Sequence, residues 1–147
     1  DSLLSVPTSS VFSQIENYTL QQNVVSYCFH SVEGYSKIGS YTGNGATSGT
    51  AGTYVHLGFR PSFVMLKSTG SGSWWILDST RDPFNEALRA LQANDPAVET
   101  GYSGNFLDFY SNGFAPRTSG TQVNGSGTKY IYMAFADGQP FKYANAR

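Results

Sequence analysis

Cys28 and His30 stand two apart in the run VVSYCFH. On a strand that spacing puts both on one face, the first requirement for a thiolate–imidazole nucleophile pair. Side chains so placed are about 6–7 Å apart at their base, and the pair needs a third group to orient the imidazole. In an alternating run, Cys28 reads instead as a small core residue. His56, in TYVHLGF, is a second and isolated imidazole. Two histidines so far apart, with one cysteine in the chain, do not make a zinc site. No catalytic residue and no cofactor is expected.

The densest polar cluster is DSTRDPFN, residues 78–85, directly after the strand-like SWWIL. It has two readings. In the structural one, Asp78, Arg81, Asp82 and Asn85 pair bidentately and pin the turn that leaves the strand. In the functional one they form a sugar site: carboxylates and amides bond hydroxyls in planar, directional pairs, while an aromatic ring stacks on the apolar face of a pyranose. Trp74 and Trp75 are adjacent, so on a strand they point to opposite faces. Trp74 goes with Ile76 and Trp75 with Leu77, so alternation alone does not say which is buried. A calcium site from Asp78 and Asp82 lacks the ligand spacing and the glycine of a calcium loop, and no metal is expected. Glycoside hydrolysis needs two carboxyls at a set separation. The ten acidic residues lie mostly in turns and no such pair is marked, which disfavours a polysaccharide depolymerase. The loop YTGNGATSGTAGTY (41–54) lacks the lysine of a phosphate cradle. Its Tyr, Ser, Gly and Asn suit an adaptable recognition surface.

The elements that must position these residues are strands. Period-two alternation marks Val24–His30, Tyr35–Tyr41, Thr53–Leu57, Ser62–Lys67, Ser73–Asp78, Phe106–Tyr110, Phe114–Thr118 and Tyr130–Ala136. Turn residues separate them: GNG at 43–45, TGSGS at 69–73, SNG at 111–113 and NGSG at 124–127. This predicts an all-β, antiparallel β-sandwich of jelly-roll or concanavalin-like type, with roughly eight to ten strands. One segment differs. DPFNEALRALQAN (82–94) has a capping Asp, an early Pro, and Leu88 and Leu91 three apart, which reads as one short helix near 83–92 or as an irregular strand.

Composition agrees with a β protein. Only 13% of the 147 residues are charged, 15% are aromatic, and 16 are glycine. The net charge of −1 gives no basic field to attract nucleic acid, and no apolar run approaches a membrane span. One cysteine excludes an intrachain disulfide. A chain that opens on Asp1 reads as a processed product or a piece of something longer. Shifted by 106 positions, VVSYCFHSVEGYSK (24–37) meets YIYMAFADGQPFKY (130–143) with the same strand–corner–aromatic pattern. That recurrence divides the chain into residues 1–41, a linker or the end of a preceding repeat, and residues 42–147, a C-terminal sandwich module.

VSYCFHSVEGYSKIGSYTGNG, GFRPSFVMLK, WWILDSTRDPFN, SNGF and YIYMAFADGQPFKYANAR together resemble a module of tail-fibre and related structural proteins of tailed bacteriophages, particularly marine and cyanobacterial ones. That family is a domain of unknown function that often follows concanavalin-like sandwiches. The resemblance covers about residues 9–147, with the landmarks in the same order, and carries over no established catalytic or binding residue. It implies a β-sandwich in a virion, near the end of a longer fibre, with trimerisation of like copies. Related modules read Trp–x–Ile/Val–x–Asp at the SWWIL strand, which implies that Trp74 is the core residue. Trp75 is then the exposed ring, and the expected glycan site is Trp75, Asp78, Arg81, Asp82 and Asn85. The expected function is an adhesin module of a tail fibre or other external appendage, contacting a host-surface glycan without catalysis. The alternative is a capsid or fibre decoration module without receptor binding. Expected partners are copies of itself, other virion proteins and the host glycan, with no nucleic acid and no membrane insertion.

Overall fold

The computed structural model describes residues 27–47, 52–101 and 106–136. Among them lie nine strands and no helix: β1 (Ser36–Thr42), β2 (Val55–His56), β3 (Pro61–Ser68), β4 (Trp75–Asp78), β5 (Arg89–Gln92), β6 (Thr100–Gly101), β7 (Leu107–Tyr110), β8 (Gly113–Pro116) and β9 (Lys129–Ala136). All pairings are antiparallel. The large sheet runs β1-β9-β3-β4-β5, prolonged at its far edge by the two-residue β6, and the small sheet runs β2-β8-β7. The chain is an all-β protein whose two antiparallel sheets pack into a β-sandwich.

Period two decides which residues share a face, and burial shows which face meets the other sheet. On the large sheet, Val64, Leu66, Leu77, Tyr130 and Ala134 are fully buried, with Trp75 and Tyr132 nearly so. Opposite them lie Val55, Leu57, Leu107, Phe109 and Phe114. The layers interlock through rings: Tyr132 meets Phe114 edge-on at 5.4 Å, Tyr41 meets Phe114 at 6.0 Å, and Trp75 meets Phe106 at 5.5 Å. Each such side chain contributes about 1.5–3 kcal/mol by burial, so this ring layer dominates the core.

Buried polar groups hold the loops at one end. The Tyr41 phenol donates to Val123 O at 2.6 Å. The Tyr130 phenol accepts from Gly125 N and donates to Thr121 O. Asn124, with no exposed surface, accepts from Asn44 N and donates to Ala46 O. Gly43 passes so close that a Cβ there would lie 2.5 Å from Gly125 O, which is why this loop crossing needs glycine.

Several expectations change. Of the two readings of segment 82–94 the irregular strand is the one found, and not the helix: Asp82 Oδ2 accepts from Leu88 N at 2.8 Å and Arg89 N at 2.7 Å, taking donors that a helix would pair within itself. The freed backbone pairs as β5 with β4. Tyr27–His30 lie outside any strand and are exposed, Cys28 included, so Cys28 is not a core residue. Their counterparts 106 positions on, Met133–Ala136, sit in β9 between β1 and β3. The two stretches do not share a path, and the repeat fails where it can be compared; residues 24–26 and 137–143 lie outside the described residues. The boundary expected after residue 41 falls inside β1, which pairs with β9 from Ser36↔Phe135 to Thr42↔Lys129. Residues 36–41 are therefore part of the sandwich.

Candidate functional site

The expected polar cluster does come together, but its groups turn toward the protein. Asp78 closes β4. Its Oδ1 accepts from Thr80 N at 3.1 Å and Arg81 N at 2.8 Å, and its Oδ2 pairs with Arg81 Nε at 2.5 Å. Arg81 also reaches Glu99 Oε2 at 3.0 Å and Ile76 O at 3.2 Å. Partial burial alone would raise the Asp78 carboxyl. The Arg81 backbone N–H, the Arg81 guanidinium and the Thr80 N–H outweigh it and hold the group below its usual value. Burial likewise works against the Arg81 charge, and its bonds to Asp78 and Glu99 more than restore it. Asp82 receives the two amides of the β5 approach, with Arg89 Nε 3.8 Å from its other oxygen.

Asn85 works at longer range. Its side-chain nitrogen donates to Phe109 O and its side-chain oxygen accepts from Phe109 N, both at 2.9 Å. The amide thus stands in for a strand residue and ties the turn to β7 of the small sheet. Together they form a staple for the turn: Asp78, Arg81 and Asp82 bond within it and to the β4–β5 side, and Asn85 alone of the four reaches the small sheet.

Trp75 does not join them at the surface. It is 6% exposed, on the inner face of β4, opposite Leu66 on β3. Trp74 is the half-exposed one, sharing the outer face with Ile76. This reverses the expected assignment. Val64 and Leu66 are fully buried, and the β3–β4 register sets Leu77 and Trp75 beside them. Trp75 therefore presents no ring to a ligand. The ring that this turn exposes is Phe84, at 83%.

A different surface combines exposed rings with polar groups. On the outer face of the small sheet, His56, Gly113 and Tyr110 lie in one cross-strand row, with Ala115 and Asp108 in the next. Tyr54, just before β2, is 46% exposed and meets Tyr110 edge-on at 5.8 Å and His56 at 6.5 Å. Its hydroxyl hydrogen-bonds Asn112 Oδ1. Asn112 is itself anchored, its carbonyl accepting from Leu57 N and Gly58 N. Gly113 lies under the Tyr54 ring, where a Cβ would collide with the phenol and with Val55 O. Tyr110 donates to Asp108 Oδ2 at 3.2 Å, and Arg117 Nε lies 3.3 Å from the same oxygen. Among the described residues, Asp108 Oδ1 and Arg117 Nε are buried without a hydrogen bond.

A family described as a domain of unknown function (DUF7483) matches residues 3–140. The chain belongs to that family. No curated protein matches the chain, and no solved structure does. The DUF7483 match takes in all nine strands and crosses residue 41, as one sandwich built from both sides of that position does.

In this DUF7483 domain the aromatic face had one sequence signal. Thr53–Leu57 alternates, with Val55 and Leu57 inward, so Tyr54 and His56 must face out. Nothing local in the sequence pairs that strand with GFAP and then with LDFY, and only that pairing brings Tyr54 to Tyr110 and Asn112. The surface offers ring faces, an amide and an imidazole, with the contact between Asp108 and Arg117 Nε buried beneath. Those groups suit binding a polar ligand that has an apolar face. No group of three or more His, Cys, Asp or Glu able to hold a metal ion occurs among the described residues.

Proposed function

We propose that this chain is a non-catalytic recognition module of an external virion appendage such as a tail fibre, and that it contacts a host-surface glycan through the outer face of the small sheet. The observation that carries the reading is the group of Tyr54, His56, Tyr110 and Asn112: two rings at 5.8 Å with an amide and an imidazole beside them. A pyranose has an apolar face that stacks on such a ring and rim hydroxyls that bond such polar groups. The placement in a virion rests on the sequence resemblance described above. An open site of this size binds one sugar weakly, so useful attachment comes from several copies acting together.

The test is a glycan array probed with the chain in a multivalent display, together with attachment to host cells before and after removal of surface polysaccharide. Binding that disappears in Tyr54→Ala and Tyr110→Ala, with the melting temperature kept, is the expected result. No binding to any glycan or host cell, even when multivalent, overturns the adhesin reading. Release of reducing sugar from host envelope overturns the non-catalytic one.

A further inference from the structure

The middle row on the outer face of the large sheet is apolar from edge to edge. The registers align Ile38 with Met133, Met133 with Met65, Met65 with Ile76, and Ile76 with Leu91. One row of five aliphatic side chains thus crosses β1, β9, β3, β4 and β5 without a polar residue. Ile38 and Leu91 are 37% and 36% exposed, and the three between them are half-buried. The next row on one side holds Phe63 against Phe135, with ring centres 6.0 Å apart, between Ser36 and Asp78, and Phe29 and Tyr35 of the same chain pack on the Phe135 ring at 6.2 and 5.8 Å. On the other side lies Ile131, beside Lys67. The Lys67 ammonium is drawn off the row, donating to Ser68 O and Gly70 O in the turn after β3.

A sheet face left in water carries polar residues alternating with the apolar ones of the core face. β3 and β9 alternate in burial, yet their outer sides are apolar except for Lys67 and Lys129 near one end. Contiguous apolar surface on this scale marks an interaction site.

We infer that this face is where copies of the chain meet. Five strands at about 4.8 Å and three rows about 6.7 Å apart, the apolar row in the middle and Ser36, Asp78, Ser40 and Lys67 at its rim, make a face of roughly 24 by 20 Å. Two such faces together cover about 1,000 Å², the lower bound for a specific interface. The aliphatic row has no charge that asks for an opposite charge in a partner. An identical row therefore complements it, as symmetric association requires. Met65 and Met133 at its centre adapt their shape to an opposing surface. The inference stands whether or not the small sheet binds sugar.

Met65 and Met133 are the two methionines of the chain, so peroxide oxidation followed by mass spectrometry reports on this face alone. The experiment pairs that readout with sedimentation equilibrium on the full chain, for wild type, Ile76→Lys and, at the sheet edge, Ile38→Lys. The expected wild type is a dimer with slowly oxidised methionines, because contact of one patch with its own copy is two-fold. Either Lys variant that keeps the wild-type far-UV spectrum is expected to be monomeric, with oxidation several-fold faster. A wild type that is monomeric at every concentration overturns the inference. So does an oligomer whose methionines oxidise freely, because its copies then meet elsewhere. A monomer with protected methionines assigns the cover to another part of its own chain and also overturns it.

Discussion

The turn after β4 and the outer face of the small sheet hold similar polar and aromatic residues but use them in opposite ways. At the turn, Asp78, Arg81, Asp82 and Asn85 point at backbone groups of their own chain, and the nearby Trp75 ring is in the core. On the small sheet, His56 in the two-residue β2 and Tyr54 just before it project outward, and the Tyr54 hydroxyl meets the Asn112 side chain in the turn between β7 and β8. A cluster of hydrogen-bonding residues becomes a binding surface only where the backbone does not need them. The 78–89 stretch lacks regular pairing until β5, so its amides take the carboxylates. The small-sheet strands pair with each other and leave the outward Tyr54 and His56 exposed.

Trp75→Ala breaks the comparison most severely. It deletes a buried ring against Phe106 and Leu66, and the expected loss is about 3–5 kcal/mol of stability in chemical denaturation. If the variant kept its stability, Trp75 would belong with the surface rings after all. Asp82→Ala comes next. It leaves two backbone amides without their acceptor, at an expected cost of about 2 kcal/mol and with no change in ligand binding. A loss of glycan binding with stability intact would return this turn to the candidate site.

Acid separates the regions through Asp78. Its carboxyl is held below the ordinary value in the folded chain, so its contribution is present above that value and falls away as pH drops through the depressed one. Wild type should therefore lose stability on acidification below about pH 4. Asp78→Asn should start less stable and lose less over the same range. Parallel pH curves for the two proteins would show that the staple is not electrostatic. Tyr54→Ala should have the smallest effect on folding, within about 1 kcal/mol, because the ring is largely in solvent. The same variant should weaken glycan binding by about tenfold, the equivalent of about 1.4 kcal/mol. A large fall in melting temperature with binding kept would make Tyr54 a packing residue over Gly113.

Much of the framework was readable along the chain. Seven of the eight expected strands lie where alternation and turn residues place them, to within two residues at either end. Tyr27–His30 misled because two aromatics spaced by two look like a strand whether or not a partner strand exists. The 82–94 segment stayed open between a helix and an irregular strand for the converse reason, and the strand won. Its helix signals are local, while the partners that won are Asp82 for the β5 amides and Asn85 for Phe109, 24 residues away.

What the residue order determined by itself is the period, the turns and the two faces of each strand. It did not determine which face is inside. In β3, β4 and β9 both faces are apolar, so Trp74 and Trp75, or Met65 and Leu66, are equivalent to any argument from alternation. Only the packing of the second sheet, with Phe109 and Phe114 filling the gap, chose Trp75 and Leu66 for the core. The same choice left the row from Ile38 to Leu91 on the outside. The aromatic face of the small sheet was decided in the same way, by strands that find each other across 58 residues from Tyr54 to Asn112.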